Sequence, residues 1–295
     1  MQRGTLRAAL AAERPLSMPL AHDALAARLI ARAGFRAFAI GGSAMLAARY
    51  GLPDLGLIGL ADMAAGIRDI GAATALPFLA DGDDGYGDAK SVVRMVEAYA
   101  ALGVGAVLIE DQLRESKQQR AETARGVVEE RLMEAKLGAA LAARADGEMM
   151  ILGRTDARGV LGFEAALERA ERFLRVGADG AFIAGLRTEE EYARAGRALG
   201  SALQAAAMFE GGDTPWLSPA ALGEMGYGLV TFPASLIFRA TAAMAGFLAE
   251  LRAYGEGRSA VLPMAGHAGA RAVLDEAVEV AKWRAVERRF APAAR

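Results

Sequence analysis

The sequence predicts an α/β protein folded as a closed (β/α)8 barrel of the TIM type. Three observations predict it. Eight short apolar runs recur along the chain, amphipathic helical stretches separate them, and no Pro/Gly/Ser-rich linker interrupts the series. Strict alternation of strand and helix implies a parallel sheet covered by helices. Eight repeats of it suggest closure into a ring. A doubly wound open sheet is the alternative, because periodicity alone does not report closure.

The chain opens on MQRGTLRAALAAERP, which reads as a short basic helix without the apolar core of a secretory signal. Strands are expected near Leu16 to Ala21, Arg36 to Gly41, Ala75 to Ala80 and Gly105 to Glu110. Four more are expected near Met149 to Arg154, Gly180 to Ala184, Leu203 to Met208 and Gly228 to Phe232. Between them, 23–34, 89–103, 127–144, 163–177, 188–200 and 218–226 carry apolar residues at three- and four-residue spacing. Several of these close on glycine, a common helix terminator. The whole chain, 1–295, therefore reads as one barrel domain. Extra helical material follows at 238–254, then a polar break, GEGRS, at 255–259. The last segment, 270–290, has an apolar face including Leu274, Val278, Ala281 and Trp283. Residues 255–295 are thus expected to be a helical extension that buries this face on the barrel or on a neighbouring subunit.

Composition narrows the function. The chain is 54% hydrophobic with a formal charge of −2, so neither disorder nor a polyanionic partner is indicated, and nucleic acid is excluded as the expected ligand. Zero cysteines remove disulfides, thiolate metal sites and a cysteine nucleophile, and fit a cytoplasmic protein. No apolar run reaches the roughly 18 residues that a membrane span needs.

In such barrels the carboxyl ends of the strands converge on one mouth, where the chemistry is kept. GGSA (41–44) and GLPD, ending at Asp54, follow the second expected strand, and DGDDGYG follows the third. The fourth ends in IEDQ and the fifth in GRTDA. Asp81, Asp83 and Glu110 could surround one divalent cation whose charge removes their mutual repulsion. An all-oxygen set suits Mg²⁺, with Mn²⁺ as substitute, rather than zinc. Arg154 offers a planar fork to a carboxylate. Gly41, Gly42 and Ser43 could donate N–H groups to an anionic oxygen. Together these describe a pocket for a small dicarboxylate or an α-oxo acid and chemistry beside an enolate. Each residue also has a bland reading: Arg154 with Asp156 as a structural ion pair, Asp54 as a turn residue, Ser43 as a helix cap, and the aspartates as a solvated turn. Asp84, Asp111 and His22 are assigned to scaffold, and His267 receives no role.

DALAARL at 23, GLPDLG at 51–56, DGDDGYG, IEDQ, GRTDA, RAERFLRVGADGAF (169–182), EGGDTP (210–215) and FPASLIFRA near 232 together resemble the isocitrate lyase/phosphoenolpyruvate mutase superfamily, specifically its 2-methylisocitrate lyase-like branch. The resemblance covers most of the chain in order. It implies an α/β barrel, Mg²⁺, an enolate intermediate, and dimers of dimers that exchange a C-terminal helix. By motif, Asp81, Asp83 and Glu110 match acids that hold Mg²⁺, Asp54 matches an acid near them, and Arg154 matches the carboxylate binder. Gly41, Gly42 and Ser43 match the loop that meets substrate oxygens, and Asp83 is also expected to approach the substrate.

Two departures bear on the reaction. Lyases of this superfamily carry a KKCGH or KRCGH loop with an acid/base cysteine, where this chain has LRESKQQRAETARG. Lys117 is the candidate within that loop, but a lysine base at neutral pH requires strong desolvation. The segment reads equally as a mobile cover. FIAG, with Ala184, stands where lyases tend to have a glutamate. The expected activity is Mg²⁺-dependent carbon–carbon cleavage or decarboxylation of a small (di)carboxylate, oxaloacetate decarboxylase-like. The alternatives are phosphonomutase- or phosphonopyruvate hydrolase-like P–C chemistry, or a catalytically silent metabolite-binding barrel.

Overall fold

The computed structural model describes residues 4–118, 124–144, 148–260 and 269–290. His267 lies outside the described residues. Helix α1 (Leu6–Ala12) precedes β1 (Leu16–Pro19), α2 (Ala24–Arg32), β2 (Phe38–Ile40), α3 (Gly42–Tyr50) and α4 (Leu60–Gly71). Next come β3 (Phe78–Asp81), α5 (Ala89–Ala101), β4 (Ala106–Glu110), α6 (Glu130–Ala143), β5 (Met150–Thr155), α7 (Ala157–Val160) and α8 (Phe163–Val176). The series continues through β6 (Gly180–Ile183), α9 (Glu189–Leu199), β7 (Leu203–Ala207), α10 (Pro219–Glu224) and β8 (Leu229–Phe232) to α11 (Ser235–Gly255), α12 (Ala270–Ala277) and α13 (Val280–Phe290). Polar caps start several helices. Asp23 accepts from the Ala26 amide at 2.7 Å, and Asp88, Thr188 and Ser218 cap α5, α9 and α10 in the same way.

All eight strands are parallel and paired in the order β1-β8-β7-β6-β5-β4-β3-β2. A bridge between Leu20 and Ala39 joins β1 to β2 and closes the ring. The open-sheet alternative is thereby removed. Side chains alternate along each strand. Leu16, Met18, Ala39, Leu79, Ala106, Leu152, Ala205 and Leu229 fill the barrel interior. Their strand neighbours Phe38, Ile40, Phe78, Ala80, Val107, Ile109 and Ile151 turn outward under α2, α4, α5 and α6, whose Ile30, Ile67, Val96 and Leu137 share that layer. The β6 to β8 side has its own layer with α8, α9 and α10, built on Ala170, Ile183, Tyr192, Leu222 and Val230.

Three elements differ from expectation. The GGSA stretch is not a loop: Gly42 already begins α3. Helix α4 was not anticipated. The expected continuous helix over 270–290 is broken after Ala277, where Glu279 adopts φ 57° and α13 starts afresh. The chain divides into two compact units, 1–237 and 238–295. The second contains most of α11 together with α12 and α13, and it exposes Met244, Leu248, Trp283 and Phe290. No helix among the described residues is long and apolar enough to cross a membrane.

Candidate active site

The two-residue alternation that builds the barrel core also builds the site. One rung beyond Leu79, Leu108 and Leu152, the same inward face presents Asp81, Glu110 and Arg154, and Phe182, Ala207 and Thr231 continue it. Glu110 pairs in register with Arg154, and Arg154 with Phe182, so acid, guanidinium and ring stand side by side. They line a cavity of about 140 Å³ with Gly41, Gly42, Ser43, Asp54, Lys117 and Gln118 on the polar side. Leu20, Ala39, Leu108, Ala184, Phe209 and Pro233 make the remaining wall largely apolar. This volume lies well below the roughly 300 Å³ at which pockets for drug-sized ligands begin, and it fits a molecule of a few carbons.

The acids converge, but on a side chain. Lys117, its side chain only 6% exposed, places its ammonium 3.2 Å from Asp54 Oδ1 and 3.1 Å from Glu110 Oε1, and in direct contact with Asp83 Oδ1. Among the described residues, no three acid or histidine side chains are arranged to hold a metal ion by themselves. Of the expected metal set, Asp83 and Glu110 meet Lys117 together with Asp54, while Asp81 accepts from the Gly42 and Asp83 amides instead. Burial alone would lower the lysine's pKa, yet Glu110, Asp83, Asp54 and Asp81 outweigh it and hold Lys117 protonated well above the ordinary value. The desolvation that a lysine base requires is thus outweighed, and Lys117 stands in this cluster as a cation.

Asp83 sits in a tight turn at φ 52°, a left-handed conformation that aspartate tolerates. Its amide donates to Asp81 Oδ1 at 2.9 Å, and its carbonyl accepts from the Glu110 amide at 2.8 Å. Its carboxylate faces Lys117 and Arg114 behind the cavity wall, so the expected approach of Asp83 to substrate is not what this geometry provides. Burial pushes Asp83 up to about 7 despite the pull of Lys117, with Glu110 and Asp81 adding repulsion. Burial also works against ionisation of Glu110, but Arg154 and Lys117 overcome it and keep that carboxyl below its usual range. The two acids share one cation and titrate as a unit. Asp54 is raised, chiefly by burial and against the attraction of Lys117.

Arg154 grips Asp156 through Nε at 3.0 Å and Nη2 at 2.8 Å, while its Nη1 stands 3.1 Å from Glu110 Oε2. The ion-pair reading is met, and the guanidinium fixed in this way also lines the cavity. The Gly42 amide donates to Asp81 Oδ2 at 3.1 Å and is already engaged, contrary to its expected use on substrate. A Cβ at Gly42 would come within 3.3 Å of Asp81 and 3.5 Å of Asp54, so glycine keeps the acids close to α3. Ser43 does not cap α3, whose N-cap is Gly41, and it remains on the cavity wall.

Asp84 and Asp111 are scaffold, as expected. Asp84 binds Arg114 Nε at 2.9 Å, and Asp111 accepts from Thr155 at 2.7 Å and the Asp156 amide at 2.9 Å. His22 lies off the cavity, with Nε2 3.7 Å from Asp23. Arg114 went unrecognised in the sequence. It joins Asp83 at 2.8 Å, Asp84, and the Gly56 and Ile58 carbonyls at 3.3 and 3.2 Å, so it fastens three loops beside the site. Gln118 was also missed, although it adjoins Lys117. The only sequence sign of either was position, four and eight residues beyond Glu110. Tyr99 donates from its hydroxyl to the Asp81 carbonyl at 2.9 Å and braces the turn from behind.

The donor set is chemically suited to magnesium. Asp54, Asp81, Asp83 and Glu110 gather near Lys117, with Arg114 and Arg154 at the flanks and neither thiol nor imidazole among them, a hard-oxygen set that suits Mg²⁺ or Mn²⁺.

Comparisons with known proteins bear on the family and the fold. The family described as phosphoenolpyruvate phosphomutase matches residues 6–252. The chain is 36% identical over 239 residues to 2,3-dimethylmalate lyase of Eubacterium barkeri, covering 81% of this chain and 82% of that protein. Oxaloacetate acetylhydrolase bound to 3,3-difluorooxalacetate superposes with a TM-score of 0.89 at 28% identity, covering 99% of this chain and 97% of the other. Phosphonopyruvate hydrolase bound to oxalate and Mg²⁺ superposes at 0.81 with 27% identity, covering 97% and 98%. A barrel with these acids at its mouth, matched over most of its length, belongs to the phosphoenolpyruvate phosphomutase family, within the isocitrate lyase/PEP mutase superfamily.

Proposed function

We propose that this protein is a magnesium-dependent carbon–carbon lyase acting on a small α-oxo or α-hydroxy (di)carboxylate, with decarboxylation of an oxaloacetate-like acid as its favoured reaction. One observation carries the reading: an acid cluster that seats a cation, with Arg154 beside it, forms one end of a small cavity whose remaining wall is mostly apolar. Asp81, Glu110, Asp83 and Asp54 are the residues that would hold Mg²⁺ or Mn²⁺, and the bound ion would supply stabilisation of negative charge on the substrate's oxo oxygen.

This chain's own residues do the rest. Arg154, already oriented by Asp156, binds the carboxylate that is retained. The leaving carboxylate lies against the apolar wall of Phe182, Ala184, Phe209 and Pro233, where its charge is poorly solvated. Loss of CO₂ relieves that penalty, because the product is neutral. The C3–C4 bond breaks, its electron pair remains on the skeleton as an enolate, and a proton then goes to C3. The Lys117 ammonium lines the cavity and is the side chain placed to deliver that proton. No general base is required, which suits a chain without cysteine. Similarity to phosphonopyruvate hydrolase supports P–C cleavage as a second reading. Against it, Lys117 and Arg154 are the sole cations among the described lining residues, leaving the far wall without one for a phosphonyl group.

The test is a panel of oxaloacetate, 2-methylisocitrate, 2,3-dimethylmalate and phosphonopyruvate with Mg²⁺. Expected is pyruvate and CO₂ from oxaloacetate, abolished by EDTA and reduced at least 100-fold in Asp81→Ala, on the order of losing a charge-assisted contact to the reacting centre. Phosphate release from phosphonopyruvate would replace this reading with the P–C one. Metal binding without turnover of any substrate would leave a silent barrel.

A further inference from the structure

The polar end of the cavity contains a cation that belongs to the chain itself. We infer that the Lys117 ammonium and a divalent metal ion are alternative occupants of one acid cluster, so that metal enters by expelling this side chain. The inference rests on the magnesium part of the proposed function. The oxygens that Nζ touches on Asp54, Asp83 and Glu110 are those a metal would need. A magnesium ion draws its ligands to about 2.0–2.1 Å, leaving no place for an ammonium on the same atoms. Among the described residues no acid trio, this one included, is arranged to hold a metal as it stands, which fits a seat that forms only when the ammonium leaves.

The direction of expulsion follows from the surroundings. The void that Lys117 shares with Asp54, Asp81 and Asp83, closed off by Leu46, Met63 and Tyr86, measures about 10 Å³. That is at the lower limit for one water molecule, so the ammonium cannot retreat inward. On the other side lies the 140 Å³ cavity that Lys117 already lines. Arg114 is anchored to Asp84 and to two carbonyls, whereas the four-carbon lysine stem is intrinsically flexible once its ion pairs are broken. Metal entry therefore moves a positive charge into the substrate cavity, which favours an anion binding after the metal.

The experiment needs no turnover. Mn²⁺ and, separately, Mg²⁺ are titrated calorimetrically into the full chain and its Lys117→Met variant without substrate. In parallel, acylation of Lys117 in the unaltered chain by an N-hydroxysuccinimide ester is followed by mass spectrometry with and without saturating Mg²⁺. Exchange requires at least tenfold tighter metal binding in Lys117→Met and several-fold faster acylation of Lys117 when metal is bound. Equal or weaker binding in the variant overturns it, as does acylation indifferent to Mg²⁺, and the latter decides alone if the variant does not fold. If the unaltered chain binds neither ion, the exchange and the magnesium reading fall together. If both proteins bind metal equally, only the exchange falls.

Discussion

Asp83 has a measurable consequence at the scale of one residue. Its carboxyl, ordinarily near 3.8, is held up to about 7 in the fold, chiefly by burial. Between those values the native state carries a proton that the unfolded chain has released. Stability therefore falls as pH rises through that window, and the loss is complete above about 7. Coupling to Glu110, whose shift has the opposite sign and acts below its ordinary 4.5, confines the net effect to a few kcal/mol at most. The metal-free protein is expected to unfold at a lower temperature at pH 8 than at pH 6, and Mg²⁺ is expected to raise the pH 8 value more. Calorimetric scans with EDTA and with Mg²⁺ check both; a midpoint that climbs from pH 6 to 8 without metal contradicts the assignment. At this scale much of the site was legible. Asp81, Glu110 and Arg154 follow from two-residue alternation, because a strand that buries Leu79, Leu108 or Leu152 must point its next-but-one residue the same way. The seat of Lys117 was not legible. Loop conformation leaves no period in the sequence, and a lysine stem reaches too far for its own position to locate its charge.

Helix α9 shows how closely elements meet around the ring. A Cβ at Gly196 would stand 1.8 Å from the Met225 carbonyl oxygen, so α9 rests directly on the backbone that leads from α10 into β8. Gly196→Ala is expected to cost about 1–3 kcal/mol through overpacking, despite alanine's better helix propensity. For a chain of this size that is a drop of several degrees, readable by thermal unfolding monitored by circular dichroism. A variant as stable as the parent would show that α9 can shift freely. Strands and most helices were legible because their periods differ and glycine or proline punctuates them. Helices α3 and α4 were not. Alanine-rich AFAIGGSAMLAA runs a strand into a helix without a polar interval, and Gly41 and Gly42 read as a turn although Gly42 is already helical.

For the whole molecule, the question is what the second unit does with its apolar side chains. Trp283 is 60% exposed and Phe290 70%, with Met244 and Leu248 similarly open. We expect these faces to be covered in an assembly of four copies, arranged as a pair of dimers. Sedimentation of the double variant Trp283→Glu with Phe290→Glu is expected to show smaller species than the parent. A parent that sediments as a monomer defeats the expectation. Closure of the first unit has a different implication. Seven of the joints between neighbouring strands are continuous ladders, but the eighth is a lone bridge at Leu20 and Ala39. Those same two residues form part of the cavity wall. The hoop is thus stitched most sparsely beside the compartment it encloses. Breathing of the backbone is expected to cost least at that seam, while the other staves stay clasped.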